Sequence, residues 1–534
     1  MTTPSSRGDT YWPNVLLALL ATCPGLINAT ALTLVSPTIA AGVGASTTAV
    51  SWVPLAGNAA LAVGGPVAAD LSQRVPPRRL FPACLALFAV GSLVVASAPV
   101  LWLLIAGRLL QGFGSGLLLV IAIPLLFAPG LSPARLRLSS GFVVIGLFGA
   151  ATAGPVLGGL VAQAEAWRWL FAANAALGVL AIPLALRVLP RRPAPAPHRR
   201  VDAPALLLTA LGVGLTFFGV GELGWHDWDA VAVSLPVALG VLALIAVVVV
   251  EALQEDPLMP VRLLARPAPI VGAILAIVAG AAFTGTLSIL PLYLARVRGL
   301  SAQDTGLLLW PAVLAAVVAA VVVGVVSGSR LRPLVALGGF VLLALGAWAL
   351  TGLTATTGDG QILLLSAVLG FGAGVTIAPG IILAALSVPG PLIGRALALI
   401  NLFRLVGAYL AAPPLIHAIG THTTIHAADL AAQVQAGSPA SLAVTAQITR
   451  LVQFYTAHGV PPTLARAQAS ATLGQALYRQ ALVLGISDVC GVVVILTVLG
   501  IIAVALILAS AALWARRAAR HDAVVPTTGH ARVA

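Results

Sequence analysis

The chain reads as long apolar runs separated by short polar breaks. A helix needs about 20 apolar residues to cross the hydrocarbon core of a bilayer, and fourteen runs of that kind fall near residues 15–40, 49–69, 80–98, 101–125, 139–162, 168–188, 203–222, 230–252, 268–294, 305–327, 333–352, 361–386, 395–417 and 489–513. The pattern predicts an all-α integral membrane protein with fourteen transmembrane helices. Two breaks differ from the rest. "RVLPRRPAPAPHRRVDA" (Arg187 to Ala203), rich in proline and arginine, reads as a semi-extended linker after six spans. The segment 419–487 is long and carries apolar residues at helical spacing in "SLAVTAQITRLVQFY" and "TLARAQASATLGQALYRQALVL", so two or three amphipathic helices are expected there, on the outer surface or against a partner.

These breaks divide the chain into an N-terminal six-helix half (1–190), a linker with an extra helix pair (191–262), a C-terminal six-helix half with the long outer loop (263–515), and a tail (516–534). Two six-helix halves suggest the parallel repeat of a secondary transporter, with a cavity between them at mid-membrane.

Composition supports the membrane reading: the chain is 60% hydrophobic and 8% charged, with a mean hydropathy of +1.07. A soluble domain carries about 25% charged residues. All 28 basic residues are arginine, and the net charge is +13. The arginines sit in short loops and form no continuous basic face, so a nucleic-acid partner is excluded. Their distribution orients the chain. Arg74, Arg78, Arg79, Arg135, Arg137, Arg187, Arg191, Arg192, Arg199, Arg200, Arg262, Arg266, Arg330, Arg332, Arg395, Arg516, Arg517 and Arg520 lie in even-numbered loops and the tail, against Arg168, Arg296 and Arg298 in the short odd-numbered loops. This bias places both termini in the cytoplasm. The first run, preceded by Arg7 as its only basic residue, is too long for a signal-peptide core and reads as a retained span. Cys23, Cys84 and Cys490 fit no metal or disulfide spacing.

Chemistry concentrates in two spans. The fourth reads "AGRLLQGFGSG", placing Arg108, Gln111, Gly112, Gly114 and Gly116 in an apolar helix. An intramembrane arginine costs a few kcal/mol on insertion scales, so it must face the interior and find partners, whether for function or only to cross-link helices. The fifth reads "GLFGAATAGPVLGGLVAQ", with Gly154, Pro155, Gly158 and Gly159. Small residues let helices approach to backbone distance, and the proline frees a carbonyl.

"RLLQGFG" resembles the RxxQGxG signature of major facilitator superfamily drug exporters, and "AATAGPVLGG" resembles the GxxxGPxxGG signature of its antiporters, with Ala150 at the first glycine. "WRWLFAANAALG", "FTGTLSILPLYL", "GLLLWPAVLAA" and "GRALALINLFRLVGAYL" are similar to segments of the fourteen-helix drug:proton antiporter branch, the EmrB/QacA type. The resemblance covers nearly the whole chain. It implies a multi-pass protein of the cell membrane that exports small organic molecules or drugs by alternating access with proton antiport. The partners it implies are lipid, a small-molecule substrate and a proton, with a periplasmic adaptor where the host is Gram-negative. No cofactor, enzymatic activity or metal is expected.

Two departures bear on mechanism. The branch places an Asp nine residues before a first-helix Pro; with Pro37 setting the register, that position is Asn28, and Thr33 takes the position of the family's Asn. An amide hydrogen-bonds but takes up no proton near neutral pH, so Asn28 is either a polar substrate contact or a helix-to-helix clasp. In "GGPVAADLSQRVPPRRLF" the family's gating Asp survives as Asp70, with Arg74 beside it, while Pro66, Pro76 and Pro77 interrupt the motif. No carboxylate falls near mid-membrane: Asp70, Asp202, Glu251, Glu255 and Asp256 lie toward one side, and Glu165, Glu222, Asp227, Asp229, Asp304, Asp359 and Asp429 toward the other, with Asp9 and Asp522 in the tails.

Candidates for the substrate cavity are therefore Asn28, Asn58, Arg108, Gln111, Trp310, Asn401 and Arg404; Asn174, Thr284, Thr286 and Tyr409 are further polar groups inside spans. Two arginines without a carboxylate disfavour organic cations. Asp488, His417 and Glu222 are the candidates for proton coupling, and histidine changes charge near neutrality without special help. His422 and His426 stand four apart with Asp429 nearby, a spacing too weak to assign a metal site. An anion or neutral-metabolite exporter with non-standard or absent coupling, and a transport-incompetent sensor or scaffold, are the alternative readings.

Overall fold

The computed structural model describes residues 10–127, 131–196, 198, 200–255, 257–262, 266–329, 331–386, 393–433 and 439–524. Arg7, Asp9, Arg199, Asp256 and Arg330 lie outside the described residues, as do the side chains of Arg516, Arg517, Arg520 and Asp522. Regular structure among the described residues is entirely helical, the form in which a single segment closes all of its own backbone hydrogen bonds in lipid. The helices are α1 (Tyr11–Val43), α2 (Trp52–Arg74), α3 (Pro77–Ser97), α4 (Leu101–Ala122), α5 (Pro133–Gln163), α6 (Trp167–Val188), α7 (Ala203–Gly221), α8 (Val231–Leu253), α9 (Pro269–Arg296), α10 (Ala302–Val326), α11 (Arg332–Thr351), α12 (Asp359–Leu386), α13 (Ile393–Gln433), α14 (Pro439–Ala457) and α15 (Pro462–Val524). All but α14 contain a stretch long and apolar enough to cross a membrane, fourteen among the described residues.

Helix ends follow local chemistry. Ser132 precedes Pro133 and accepts a hydrogen bond from the Arg135 amide; Asp202 does the same for Ala205 before α7, and Ser301 for Asp304 before α10. Each satisfies an amide that the first turn leaves without an intrahelical partner. Gly44 closes α1 at φ 65°, a left-handed conformation that favours glycine. Successive spans run in opposite directions, so the start of α1 and the end of α15 share one face, here the terminal face; the opposite is the distal face.

The distal segment differs from expectation. In place of a loop holding two or three separate helices, α13 continues past the membrane to Gln433 and α15 begins at Pro462 and is 63 residues long, with α14 between them. At about 1.5 Å per residue, α15 is roughly three times as long as a ~30 Å hydrocarbon core. "SLAVTAQITRLVQFY" falls in α14, and "TLARAQASATLGQALYRQALVL" is the distal extension of α15. The apolar spacing has a partner: Ala465, Ala469, Leu473 and Leu482 are buried along the extension, and Tyr455 of α14 bonds Thr472 of α15 at 3.0 Å.

Helices α1–α6 pack as one half and α9–α13 with α15 as the other. The halves meet where α5 crosses α10 and α2 crosses α13, two contacts that exchange under a repeat relating the first six spans to the last six. The first contact runs the depth of the molecule. Near the terminal face a side chain at Gly141 would meet the Ala320 carbonyl at 2.9 Å, and one at Gly324 the Arg137 carbonyl at 3.0 Å. Near the distal face Gly306 faces the Pro155 carbonyl, and Gly159 faces Ala302. The hairpin α7–α8 lies against α2, where Trp52 packs on Phe218 with ring centroids 5.4 Å apart, and its turn reaches α13. On the terminal face the linker after α6 returns to α2, where the Ala196 amide donates to the Gln73 carbonyl at 2.8 Å.

Candidate functional site: the buried polar interior

Arg108 enters the interior because α4 presses against α2 at backbone distance. A side chain on Gly57 would strike the Arg108 guanidinium, and one on Gly112 would strike the Gly57 backbone. The guanidinium lies in the space these glycines leave, 5.9 Å from the centre of the Phe171 ring on α6. Arg108 Nη1 donates to Gln111 Oε1 at 2.6 Å, and Gln111 Nε2 donates to Ser92 Oγ of α3 at 2.8 Å. Ser92 and Phe171 were not singled out from the sequence; a lone serine or phenylalanine in an apolar run carries no signal of its own.

Asn28 is fully buried midway along α1, and its Oδ1 accepts a hydrogen bond from Asn174 Nδ2 of α6 at 2.8 Å. Asn28 Nδ2 has no protein partner among the described residues. Thr33 turns outward, its hydroxyl donating to the Thr30 carbonyl. Gly154 and Gly158 of α5 lie against Thr30 and Ala31 of α1, whereas Gly159 faces the other half. Pro155 stays within the helix, and its carbonyl is the group Gly306 approaches. Just before this motif α5 widens into a π turn at Ile145–Gly149, and Phe148 from that turn meets Phe283 of α9 edge-on, 6.0 Å between ring centres. A second π turn, Leu275–Ala279, lies in α9. Such turns break helical register and concentrate at functional sites.

In the C-terminal half Arg404 Nε donates to Asn401 Oδ1 at 3.2 Å, and Gly280 of α9 packs on the Arg404 stem. Tyr409 is buried within electrostatic reach of both Arg404 and Arg108. The two arginines, one from each half, thus border one interior region. Arg108 Nε and Arg404 Nη2 have no protein partner among the described residues. Among the described residues the buried carboxylates are Asp70 and Glu251, both at helix ends toward the terminal face. Asn58 is buried on α2, with its Oδ1 unpartnered.

Trp310 is not in this interior. It is 47% exposed where α10 changes register between Leu308 and Trp310. Asp70 pairs with Arg74 one turn along α2, so in this state it serves its own helix end rather than tethering another. His417 of α13 directs Nδ1 at the Leu223 carbonyl (2.9 Å) and Nε2 at Asp227 (3.3 Å), both in the turn after α7, where Glu222 sits 3.2 Å from His226. Asp488 lies on the distal part of α15 and contacts His422 and His426 of α13; it, and not Asp429, is the acid beside those histidines.

Fourteen spans in two halves around a polar interior is a transporter architecture, and comparison with known proteins assigns it. The family model described as "Major Facilitator Superfamily" matches residues 17–413. The chain belongs to the major facilitator superfamily. It is 32% identical to the cephamycin export protein CmcT of Amycolatopsis lactamdurans over 441 residues, 80% of this chain and 89% of that one. It is 31% identical to a multidrug resistance protein B homolog of Mycobacterium tuberculosis over 332 residues, 62% and 61% of the two chains. In fold it is similar to a bacterial homologue of the lysosomal transporter Spinster, with a TM-score of 0.56 at 13% identity over 94% of this chain and 98% of that one. This superfamily member is a multi-pass cell-membrane transporter of the small-molecule export type, and not an enzyme.

Proposed function

We propose that the chain is a secondary active exporter working by alternating access between its two halves, and that its interior selects neutral or anionic amphipathic molecules over organic cations. The observation that carries the selection is the pair of buried guanidinium groups, Arg108 and Arg404, each with a nitrogen that has no protein partner among the described residues. A buried charge costs several kcal/mol unless a counter-charge or ordered dipoles solvate it. An organic anion supplies the counter-charge; an organic cation adds to the cost. The relative from Amycolatopsis lactamdurans is by its name an exporter of a cephamycin. The arginine bias puts the terminal face in the cytoplasm, so cargo moves from the terminal to the distal face.

Proton coupling cannot use Asn28. Asp488 stands on a distal extension away from the contact between halves, so the groups best placed are His417 and Glu222, where α13 meets the turn of the extra hairpin. The Leu223 carbonyl accepts from Nδ1, so that nitrogen carries a hydrogen; a second hydrogen on Nε2 completes the contact with Asp227. Losing it removes that contact and leaves the Nδ1 bond to the Leu223 carbonyl as the tie between His417 and this turn. Glu222, His226 and Asp229 are the other titratable groups in this turn. One proton moving down 100 mV supplies about 2.3 kcal/mol, close to the ~2.8 kcal/mol of a hundredfold gradient.

The test is proton movement in liposomes carrying the purified protein under an imposed pH gradient, for wild type, Asn28→Asp and His417→Ala. Substrate-dependent proton movement in wild type, lost in His417→Ala, supports this reading. Silence in wild type with movement only in Asn28→Asp means that the amide has removed coupling from an intact carrier, and the coupled reading is then wrong.

A further inference from the structure

We propose that His422, His426 and Asp488 form a binding site for a divalent transition-metal ion, zinc by preference, that clasps the distal extensions of α13 and α15. The two histidines lie one helical turn apart on α13, so their imidazoles project from the same side of a rigid element; Asp488 is supplied by α15. Nδ1 of His422 and Nε2 of His426 both point at Asp488 Oδ2, at 2.9 and 2.7 Å, and one ligand atom from each residue lies within 4.8 Å of the others. Two imidazoles and a carboxylate on one small volume are a ligand set that suits zinc, cobalt, nickel or copper; magnesium and calcium prefer all-oxygen shells.

The spacing fits without rebuilding the helices. Tetrahedral zinc with bonds of about 2.0–2.1 Å holds its donors roughly 3.3 Å apart, so each imidazole retreats from the carboxylate by about half an ångström while the two nitrogens, within 4.8 Å of each other, adjust toward that spacing by side-chain rotation. The frame is set by close packing beside the site. There Gly485 of α15 lies so close to α13 that a side chain would meet Thr423 Oγ1 at 2.8 Å and the Ile419 carbonyl at 3.0 Å, and Ser487 donates to the Thr351 carbonyl at 2.8 Å. The three side chains are 44%, 26% and 43% exposed, so an ion and its remaining water ligand reach the site from solvent. The exchange balances: the hydrogen on each coordinating nitrogen is lost to solvent or, in a neutral ring, passes through water to the ring's other nitrogen, the metal takes its place, and the carboxylate oxygen stays a ligand throughout.

The test is zinc binding to the full-length protein in detergent or nanodiscs after chelator treatment and dialysis, read by calorimetry and by metal content per chain. Wild type is expected to bind one equivalent, with affinity falling at least tenfold in His422→Ala, His426→Ala and Asp488→Asn. A melting transition raised by zinc in wild type and unmoved in the folded variants gives a second readout. Absence of saturable binding in wild type, or equal binding in the His422→Ala/His426→Ala double variant, overturns the site and leaves a hydrogen-bonded clamp without a metal. This readout is independent of transport, so it stands or falls apart from the export reading.

Discussion

At the scale of single residues, the interior is governed by how a few polar groups satisfy one another. Arg108 shares its charge with Gln111, and Gln111 passes a hydrogen bond to Ser92. Hydrogen bonds to a charged group are worth about 1.5–3 kcal/mol. Gln111→Leu is therefore expected to lower unfolding stability by about 2 kcal/mol and slow export, whereas Ser92→Ala, which leaves the arginine its acceptor, costs less; paired thermal melts and transport rates check the order. The presence of Arg108, Gln111, Asn28, Asn174, Asn401 and Arg404 was legible in the sequence because polar residues stand out in apolar runs. Their pairing was not: Asn28 and Asn174 lie 146 residues apart, and nothing in spacing says that one amide bonds the other.

At the scale of helices, glycine placement decides which pairs touch. Gly57 and Gly112 let α2 and α4 meet at backbone distance, so Gly112→Val is expected to force them apart at the usual overpacking cost of about 1–3 kcal/mol, visible as a lower melting temperature and a displaced Arg108. The spans were legible in number because each needs a long apolar run. The distal segment was not read as helix extensions, although the means were present: no proline occurs between Pro462 and Pro526, so nothing stops a helix from running out of the last span. Amphipathic spacing identified the helices, but only packing against α13 and α14 shows that they are extensions of the bundle. The metal proposal depends on that difference, since Asp488 meets His422 and His426 only when α13 and α15 continue side by side.

At the scale of the molecule, the halves are in contact along the depth of the α5–α10 crossing, with small residues at both faces. Where either face opens at this crossing, these backbone contacts part at that end. Gly306→Leu wedges the distal end against the Pro155 carbonyl, so the distance between spin labels at Gln163 and Ser301 is expected to lengthen; an unchanged distance would show that the crossing does not open there. The run count and linker suggest a two-half organisation, whereas the seat of the α7–α8 hairpin against α2 and its tie to His417 leave no trace in the sequence, because those contacts join residues 166 and 194 apart. The most direct measurement of the central claim is uptake or efflux of a matched panel of cationic, neutral and anionic amphipathic compounds by wild-type proteoliposomes, with Arg404→Gln beside it. Transport of the anionic and neutral members, with the anion preference lost in Arg404→Gln, is the expected result; transport of the cations alone, unaffected by that substitution, would contradict it.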